Sequence, residues 1–577
     1  MRFPRVDRSG AGRIRTAIVC ASSLLLAIAA TVSSTAPASA SPGSRINDTH
    51  QLELGTGASV TPTALPLTGL TQMVVDDAHH HVFLTGFSPV IAYVGTNDSK
   101  VVVVNFDGSI EKSFTGLPGA AGLYLEAANN RLWVAEAAGD ALQVINTDTL
   151  TLGPSYPLGA NADCPLGVAQ AAGLIWVSVG CGTNGGGMAS LDPGSSTVTG
   201  FGSAGAGALL KVDPADTDLV FTAGIGGNSI TEYNVSTGTP SVVASSTGGT
   251  DGWANTQDID PMPDGSDVIG ASGYPYYLDA LKVADLSGDV QYVTGPYPVA
   301  VTVSSDSKFV LGGTTSVSVF KTGTATVYRS IDTALTGWGI GRRGLALNAS
   351  ASKLFVVTGD LSGPQYLRVV PDPTKLPSKL TIASSRKKVQ YPDRVRLTAH
   401  LSPFHPGEIV TLFATPYGKG KKAFAQGPVN SSGNFSASFR PDRLTDFSAA
   451  SKGDATYLPT KSGPVSVAVQ VNVSGRLRHY YGVSRSYRLY HQGKLVFFTC
   501  SVKPNLGGQY VLVWFQFPTA TEGWMTAAHH RFKLRKDSTV TVYIGGLPRG
   551  SYRINCEYRG DASHLRDWGR FSYFKVT

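Results

Sequence analysis

The chain has 577 residues, of which 42% are hydrophobic and 15% are charged, and it contains 66 glycines. This length exceeds what one hydrophobic core holds, so a single-domain protein is excluded and several domains are expected. Long amphipathic helical patterns are missing, and frequent glycine suits tight turns between short strands, so the sequence predicts an all-β chain.

The net charge of +8 conceals a division of the chain into an acidic and a basic part. Residues 41–370 contain 13 Lys and Arg against 28 Asp and Glu, which gives a net charge of −15. Residues 371–577 contain 30 Lys and Arg against 11 Asp and Glu, which gives +19. A segment as basic as the second part is attracted to polyanions by a force that salt screens.

The N-terminus has the three parts of an export signal. Five arginines lie within residues 1–15, the apolar run Ala17–Val32 follows, and Ala38, Ser39 and Ala40 form a small-residue cleavage site. We expect a signal peptide over residues 1–40 that is removed after Ala40. No later run is long and apolar enough for a membrane span, so the mature chain is expected to be secreted, either extracellular or associated with the cell wall.

From about Gly69 to Val370 one pattern occurs seven times: an apolar strand, a polar turn and a second strand that ends in small residues. The second strands are HVFLTG (81–86), RLWVAE (131–136), LIWVSV (174–179), LVFTAG (219–224), DVIGAS (267–272), KFVLGG (308–313) and KLFVVTG (353–359). Their central apolar residues lie 41 to 50 residues apart. A β unit that recurs at this interval predicts a blade of a β-propeller.

The repeats, with their Gly-rich blades and Asp-containing turns at 105–108 and 146–148, resemble the YVTN-type and WD-like β-propellers of secreted bacterial proteins. The YVTN tetrapeptide itself is missing. The resemblance implies a seven-bladed β-propeller over residues 67–370. Such propellers usually close with a strand from the far terminus, and we expect the N-terminal segment 41–66, through Gln51–Leu54 or Pro62–Leu67, to complete the last blade.

In such propellers one face collects the loops that lead into each first strand and the loops that follow each second strand. Aromatic rings with arginine donors on that face suit stacking on a sugar or gripping a peptide. The alternative is that several of these rings fill the grooves between blades. The predicted ligand-binding residues are Phe87, Tyr93, Trp253, Tyr274, Tyr276, Tyr277, Trp338, Arg342 and Arg343.

Two cysteines also belong to this face of a propeller. Cys164 lies in a loop before a first strand, and Cys181 follows the second strand of the same repeat. We therefore expect a Cys164–Cys181 disulfide, which an oxidising extracellular setting permits.

Two further motifs have the composition of metal sites. Asp258, Asp260, Asp264 and Asp267 carry oxygen ligands of the kind that calcium prefers, but they lack the spacing of a known calcium loop, and residues 263–266 are typical of a plain turn. Residues 79–81 are three histidines in a turn that is polar in other repeats, and neighbouring β residues point in alternate directions. No metal site and no cofactor is predicted, with calcium at the aspartates as the alternative.

The basic part of the chain contains two copies of one sequence. After a proline-containing linker at 371–377, Arg396–Pro403 aligns with Phe497–Pro504, and Lys452–Leu458 aligns with Arg559–Leu565. The shared G-D-A-x-Y/H-L ending resembles the bacterial Ig-like repeats of secreted surface proteins. The resemblance implies two Ig-like β-sandwich domains, over residues 378–472 and 473–577.

The Ig-like resemblance also implies a disulfide. Cys500 lies in an early strand of the second copy and Cys556 in a late one, where such a sandwich ties its two sheets together. The first copy has Ala399 and Ala449 in the same two positions, as expected if the cysteines act only as a pair.

These features predict a secreted, non-catalytic binding or scaffold protein. Its propeller face would recognise a glycan or an extracellular protein, and its basic Ig-like domains would attach to an anionic cell-wall polymer. Nucleic acid is not expected as a partner because the chain is exported, and attraction between the acidic and basic parts is the alternative explanation of the charge. The alternative function is an extracellular enzyme of lyase, lactonase or glycosidase type with a carboxylate pair at the central channel.

Overall fold

The structure is a computed structural model that describes residues 62–86, 99–180, 187–202, 207, 209–246, 254–295, 297–332, 339–359, 363–404, 407–521 and 523–577. The predicted signal peptide and residues 41–61 of the predicted closing segment lie outside the described residues. Within these ranges the regular elements are β-strands and two 3-10 turns, Ala127–Asn129 and Gly159–Asn161. No helix there has the length and apolar character that a bilayer span requires.

The described residues up to Pro371 form seven four-stranded antiparallel sheets. The first strand of the chain, β1 (Thr63–Leu65), belongs to the seventh sheet. Each of the first six sheets takes four strands in chain order, so each is a β-meander. The first three sheets comprise β2 (Gln72–Asp76), β3 (His81–Thr85), β4 (Lys100–Asn105) and β5 (Ile110–Thr115); β6 (Ala120–Glu126), β7 (Arg131–Glu136), β8 (Ala141–Asn146) and β9 (Thr151–Pro157); and β10 (Pro165–Ala171), β11 (Leu174–Val179), β12 (Gly187–Asp192) and β13 (Thr197–Gly200).

The remaining four sheets continue the same order. The seventh sheet differs because its fourth strand is β1, which pairs antiparallel with β28 from the other end of this region. These sheets comprise β14 (Leu209–Val212), β15 (Leu219–Ala223), β16 (Ile230–Asn234) and β17 (Ser241–Ser245); β18 (Ala254–Pro261), β19 (Asp267–Tyr274), β20 (Tyr277–Lys282) and β21 (Gly288–Val293); β22 (Ala300–Val303), β23 (Phe309–Gly313), β24 (Ser316–Lys321) and β25 (Val327–Asp332); and β26 (Ile340–Leu347), β27 (Lys353–Gly359), β28 (Gln365–Pro371) and β1.

The first strands of the sheets contact one another in a closed ring. In chain order β2, β6, β10, β14, β18, β22 and β26 each contact the next, and β26 contacts β2. Sheets that meet through their first strands around a closed ring form a β-propeller, with those strands innermost.

Each gap between neighbouring sheets is filled by one cluster of buried apolar side chains. Phe83 of β3 packs against Leu123 and Leu132 of the second sheet, and Phe355 of β27 packs against Val82 and Leu84 of the first. Clusters of the same kind join every other pair of neighbours. The second strands are apolar throughout because both of their faces meet a neighbouring sheet.

Beyond Pro371 the chain forms two units, each with a three-stranded and a larger sheet around one core. In the first unit the small sheet has the order β29–β31–β34 and the large one β30–β37–β35–β32–β33, with β36 beside β35. The strands are β29 (Lys379–Ser384), β30 (Lys388–Gln390), β31 (Val395–Ser402), β32 (Ile409–Pro416), β33 (Lys422–Pro428), β34 (Asn434–Phe439), β35 (Thr445–Ser451), β36 (Thr460–Lys461) and β37 (Val465–Gln470).

The second unit repeats this arrangement, with a small sheet β38–β41–β44 and a large sheet β39–β40–β47–β45–β42–β43 that has β46 beside β45. In both units one short strand joins the large sheet in parallel, β30 with β37 and β40 with β47. The strands are β38 (Asn472–Arg478), β39 (Gly482–Ser484), β40 (Tyr487–Tyr490), β41 (Val496–Lys503), β42 (Tyr510–Thr519), β43 (Gly523–Lys533), β44 (Thr539–Ile544), β45 (Gly550–Tyr558), β46 (Asp567–Trp568) and β47 (Ser572–Val576).

A Cys500–Cys556 disulfide joins the two sheets of the second unit, from β41 to β45, as predicted. In the first unit the corresponding strands β31 and β35 carry Ala399 and Ala449, which are fully buried in the same core. Cys164 is also in a disulfide, and its predicted partner Cys181 lies outside the described residues.

Candidate functional site

A cavity of about 210 Å³ lies among the innermost strands β2, β14, β18, β22 and β26 and is therefore part of the central channel. Most of its lining is apolar or neutral. Four charged residues project into it, Lys211 from β14, Asp258 and Asp260 from β18, and Arg343 from β26. We call these four residues the channel cluster.

The two carboxylates of the channel cluster lie two residues apart on one strand, so their side chains point to the same face. One oxygen of Asp258 accepts a hydrogen bond from the Val301 amide at 3.1 Å, and one oxygen of Asp260 accepts from the Val303 amide at 3.1 Å. Both acceptors therefore fasten β18 to β22 in the next sheet. A β-bulge between Thr256 and Asp258 precedes this pair.

The remaining oxygens of the carboxylates face cations. Lys211 Nζ is 3.0 Å from Asp260 Oδ1, and Arg343 Nε is 3.7 Å from Asp258 Oδ1. Burial raises the pKa of the Asp258 carboxyl to about 6, against the opposing effect of the Arg343 and Lys211 charges. Burial likewise lowers the pKa of the Arg343 guanidinium. An ion pair this well enclosed holds strands together, and its partners are costly to separate.

The two predicted arginines therefore differ from the expectation of loop residues that face a ligand. Both lie within strand β26, where Arg343 is 6% exposed and has a left-handed φ of 57°. Its charge is directed at Asp258. Arg342 is half-buried, and its Nε donates to Gln257 Oε1 at 3.0 Å.

Three tyrosines form an exposed aromatic surface where the fifth sheet meets the sixth. Tyr274 ends β19, Tyr276 lies in the following turn, and Tyr297 lies between β21 and β22. The ring centroids of Tyr274 and Tyr276 are 6.0 Å apart, and those of Tyr276 and Tyr297 are 6.4 Å apart. The three residues are 57%, 43% and 40% exposed in that order. We call them the tyrosine platform; the predicted Tyr277 is the half-buried first residue of β20.

The backbone around the tyrosine platform is strained. Tyr276 has a φ of 83°, Tyr297 a φ of 55° and Asn255 at the start of β18 a φ of 64°. A residue other than glycine in the left-handed region of φ costs about 1–3 kcal/mol of stability, and such residues cluster at functional sites. The surrounding structure thus holds these three side chains in an arrangement that the backbone alone disfavours.

A chain of polar contacts joins the tyrosine platform to the arginine next to the channel cluster. Asn255 Nδ2 donates to the Tyr297 hydroxyl at 2.6 Å, and Gln257 Nε2 donates to Asn255 Oδ1 at 2.7 Å. The side-chain oxygen of Gln257, Oε1, accepts a hydrogen bond from Arg342. Strand β18 therefore connects the platform to Arg342, the residue before Arg343 of the channel cluster.

Four of the predicted ligand-binding residues, Phe87, Tyr93, Trp253 and Trp338, lie outside the described residues. The structure brings Tyr274 and Tyr276 together as predicted partners of one surface. Sequence reasoning missed Tyr297, Asn255, Gln257 and Lys211. Tyr297 had the signal of a bulky residue in a loop before a first strand, whereas the other three are ordinary strand residues whose neighbours only the ring of sheets provides.

The four aspartates of the alternative calcium site do not converge. Asp258 and Asp260 belong to the channel cluster, whereas Asp264 accepts from the Ser266 amide within its turn and Asp267 begins β19. Of the histidine triplet, His79 Nδ1 is 2.7 Å from Asp76 Oδ2 in the turn before β3. Among the described residues no group of three or more His, Cys, Asp or Glu side chains has the geometry of a metal site.

One further buried carboxyl stands out in the fourth sheet. Burial and the charges of Asp213 and Asp216 raise the pKa of Glu232 to about 7. One of its oxygens has no hydrogen-bond partner among the described residues. Glu232 lies on the third strand, β16, away from the channel lining.

No protein-family model matches the chain, and no curated protein sequence is significantly similar to it. Solved structures similar to part of the chain include the hydrazine synthase of Kuenenia stuttgartiensis, with 12% identity, a TM-score of 0.42, and coverage of 57% of this chain and 99% of that one. The Cps50 (Swd1) β-propeller domain of Myceliophteria thermophila has 8% identity, a TM-score of 0.40, and coverage of 53% and 97%. A putative 6-phosphogluconolactonase of Bacteroides fragilis has 12% identity, a TM-score of 0.36, and coverage of 45% and 84%. Likenesses of this degree carry no conclusion about function.

Proposed function

We propose that the protein is a secreted, non-catalytic binding protein that consists of a seven-bladed β-propeller and two Ig-like domains. The propeller recognises a glycan at the tyrosine platform, and the basic domains attach the protein to anionic cell-wall polymer. The seven sheets in a closed ring of first strands support the blade number. The paired sheets and the inter-sheet disulfide of the second C-terminal unit support the Ig-like assignment.

The observation that carries the proposal is the tyrosine platform. Three tyrosines are held side by side, each about half exposed, and two of them, Tyr276 and Tyr297, have a left-handed φ. Tyrosine rings stack on the apolar faces of sugars, and their hydroxyls form hydrogen bonds at the rim. Asn255 orients the Tyr297 hydroxyl, and the buried Gln257, which also accepts from Arg342, holds Asn255 in place.

We expect Tyr274→Ala and Tyr297→Ala each to weaken glycan binding by about tenfold, which corresponds to the loss of about 1.4 kcal/mol of stacking and hydrogen bonding. The measurement is binding of the chain without residues 1–40 to an immobilised glycan array, followed by titration of the glycans that bind. Tyr417→Ala is the matched control, because Tyr417 is 52% exposed and lies in the first C-terminal unit. Equal binding by all three variants would show that the platform is not the recognition surface.

Tyr276→Gly separates binding from packing. Glycine tolerates the φ of 83° at this position, so this variant should unfold at the same temperature as the wild type or higher, yet bind the glycan less tightly. A large loss of stability instead would mean that the ring fills a groove.

A specific observation favours one second candidate function, an enzyme that uses Asp258 and Asp260. The two carboxylates converge on the channel cavity, and the raised pKa of Asp258 is the kind of difference that separates an acid from a base. Against this, each carboxylate already bonds to a backbone amide of β22 and faces a cation, which suits a fixed structural role. We therefore assign the pair to structure and place binding first.

Attachment to the wall is proposed from the charge of +19 over residues 371–577. Retention on purified bacterial cell walls should fall by about tenfold or more as NaCl is raised from 50 to 500 mM, because the attraction is electrostatic. Walls stripped of their anionic polymers are the control and should retain little protein even at low salt. Retention that salt does not change, or that stripping leaves intact, would remove this part of the proposal.

A further inference from the structure

A second cavity, of about 350 Å³, lies in the second C-terminal unit between β38 and β47. Its lining includes two arginines, Arg476 and Arg488, together with Tyr480, Ser486 and Ser572. The Ser572 hydroxyl donates to the Gly475 carbonyl. The lining contains no carboxylate. The cavity therefore offers hydrogen-bond donors and positive charge to whatever enters it.

The two arginines of this cavity have no acidic partner in the described part of the chain. The Arg488 guanidinium carbon lies 5.1 Å from the centre of the Tyr480 ring, which orients the group without neutralising it. Arg476 is exposed at the rim. Along the sequence, no Asp or Glu occurs between Asp454 and Glu522, whereas seven Lys and Arg do. Two unneutralised cations on one cavity wall repel each other unless an anion lies between them.

Aromatic rings continue from the cavity across the outer face of the large sheet. Tyr573 lines the cavity, and its ring centroid is 5.7 Å from that of Trp524 and 5.8 Å from that of Tyr487. The Arg553 guanidinium carbon lies 4.6 Å from the centre of Trp524, and its Nε donates to Gln516 at 2.6 Å. These side chains point outward because their strand neighbours Phe574 and Ile554 point into the core.

We propose that this aromatic and arginine groove binds an anionic polysaccharide. Sugar rings of the polymer stack on Tyr573 and Trp524, and its carboxylate or phosphate groups pair with Arg476 and Arg488. The planar fork of arginine matches both kinds of anion, and aromatic rings match both kinds of sugar polymer. This inference rests on the proposed wall attachment and replaces its diffuse attraction with a defined site.

The test uses the chain without residues 1–40 and three oligosaccharides of equal length in titration calorimetry. Oligogalacturonate supplies carboxylates, a glycosylated polyol phosphate supplies phosphates, and a cello-oligosaccharide is neutral. We expect binding to one or both anionic ligands, and the one that binds names the source of the charge. Equal binding of the neutral ligand would overturn the proposal.

Variants locate the binding. Arg476→Gln/Arg488→Gln and Trp524→Ala should each weaken binding at least tenfold, whereas Arg476→Lys/Arg488→Lys, which keeps the charge but loses the fork, should weaken it less. The control Arg535→Gln/Lys536→Gln removes the same net charge from an exposed turn outside the groove and should change the affinity less than threefold. Matching unfolding curves establish that each variant is folded.

The outcomes distinguish this inference from the wall attachment itself. Wild-type protein that walls retain, with no loss in the Arg476→Gln/Arg488→Gln variant, would overturn the groove and leave the general attraction intact. Wild-type protein that walls do not retain, but that binds oligogalacturonate through these arginines, would overturn wall attachment and support the groove. Equal losses in the double glutamine variant and its control would also overturn the groove.

Discussion

Removal of the Cys500–Cys556 bridge is expected to lower the free energy of unfolding of the second C-terminal unit by about 4 kcal/mol, because the bridge restricts the unfolded chain over a separation of 56 residues. The two sulfurs are fully buried between the sheets, so the folded state gains no compensating freedom. The effect is measured within the intact chain by comparing hydrogen exchange of peptides from β41 and β45 in the wild type and in Cys500→Ala/Cys556→Ala.

The covalent constraint can be separated from the loss of two buried sulfur atoms. Reduced wild-type protein keeps the sulfurs but lacks the bond, so it should lose most of the same stability as the double alanine variant. Peptides from β31 and β35, where Ala399 and Ala449 occupy the equivalent positions, serve as the internal control. Their hydrogen-exchange rates should be the same in all three proteins. Identical protection of β41 and β45 in all three proteins would contradict the prediction.

Arg343→Met is expected to destabilise the propeller by about 3–5 kcal/mol, because it leaves the buried Asp258 carboxylate without its nearest cation. Asp258→Asn/Arg343→Met should recover part of this loss, since the amide still accepts from Val301 and carries no charge. The stability of both variants is measured by thermal unfolding, with proteolysis of the propeller as the readout. A double variant less stable than Arg343→Met alone would rule out charge burial as the cause.

The buried carboxyl of Asp258 also makes the stability of the propeller depend on pH. The folded pKa of Asp258, about 6, is above its value of 3.8 in the unfolded chain, so the folded state holds the proton more tightly. The stability from this group is complete below pH 4 and is lost as pH rises to 6, which amounts to about 3 kcal/mol. Asp258→Asn should remove this part of the slope. Glu232→Gln is the control. The Glu232 carboxyl has a folded pKa of about 7, so this variant should flatten the fall of stability up to pH 7 instead.

The strands of the propeller could be predicted from the sequence because their signal is local. Apolar residues such as Phe83 and Trp133 must be buried on both faces of a second strand, so each repeat shows the same run of letters. Six of the seven predicted second strands begin at the residue where the structure begins them, and the other differs by one residue. The two C-terminal units followed in the same way from internal repetition, whereas the Cys500–Cys556 bridge followed from the resemblance to Ig-like repeats.

The site could be predicted only in part. Tyr274 and Tyr276 are adjacent to a recognisable strand end, so their exposure was foreseeable. Arg343 was expected to face a ligand, yet it lies inside β26 beside a carboxylate 85 residues earlier in the chain. Its neighbour depends on which first strands meet at the channel, and no local pattern records that.

The amino-acid sequence by itself determined the second strand of each repeat and the acidic and basic division of the chain. All of these depend on interactions that recur within some 50 residues or on charge that can be counted. Only the tertiary structure decided that Asp258 and Asp260 hold neighbouring sheets together, that Tyr297 completes the tyrosine platform and that unneutralised arginines border an aromatic groove. Those arrangements exist because closure of the ring and stacking of the sheets bring together side chains that are far apart along the chain.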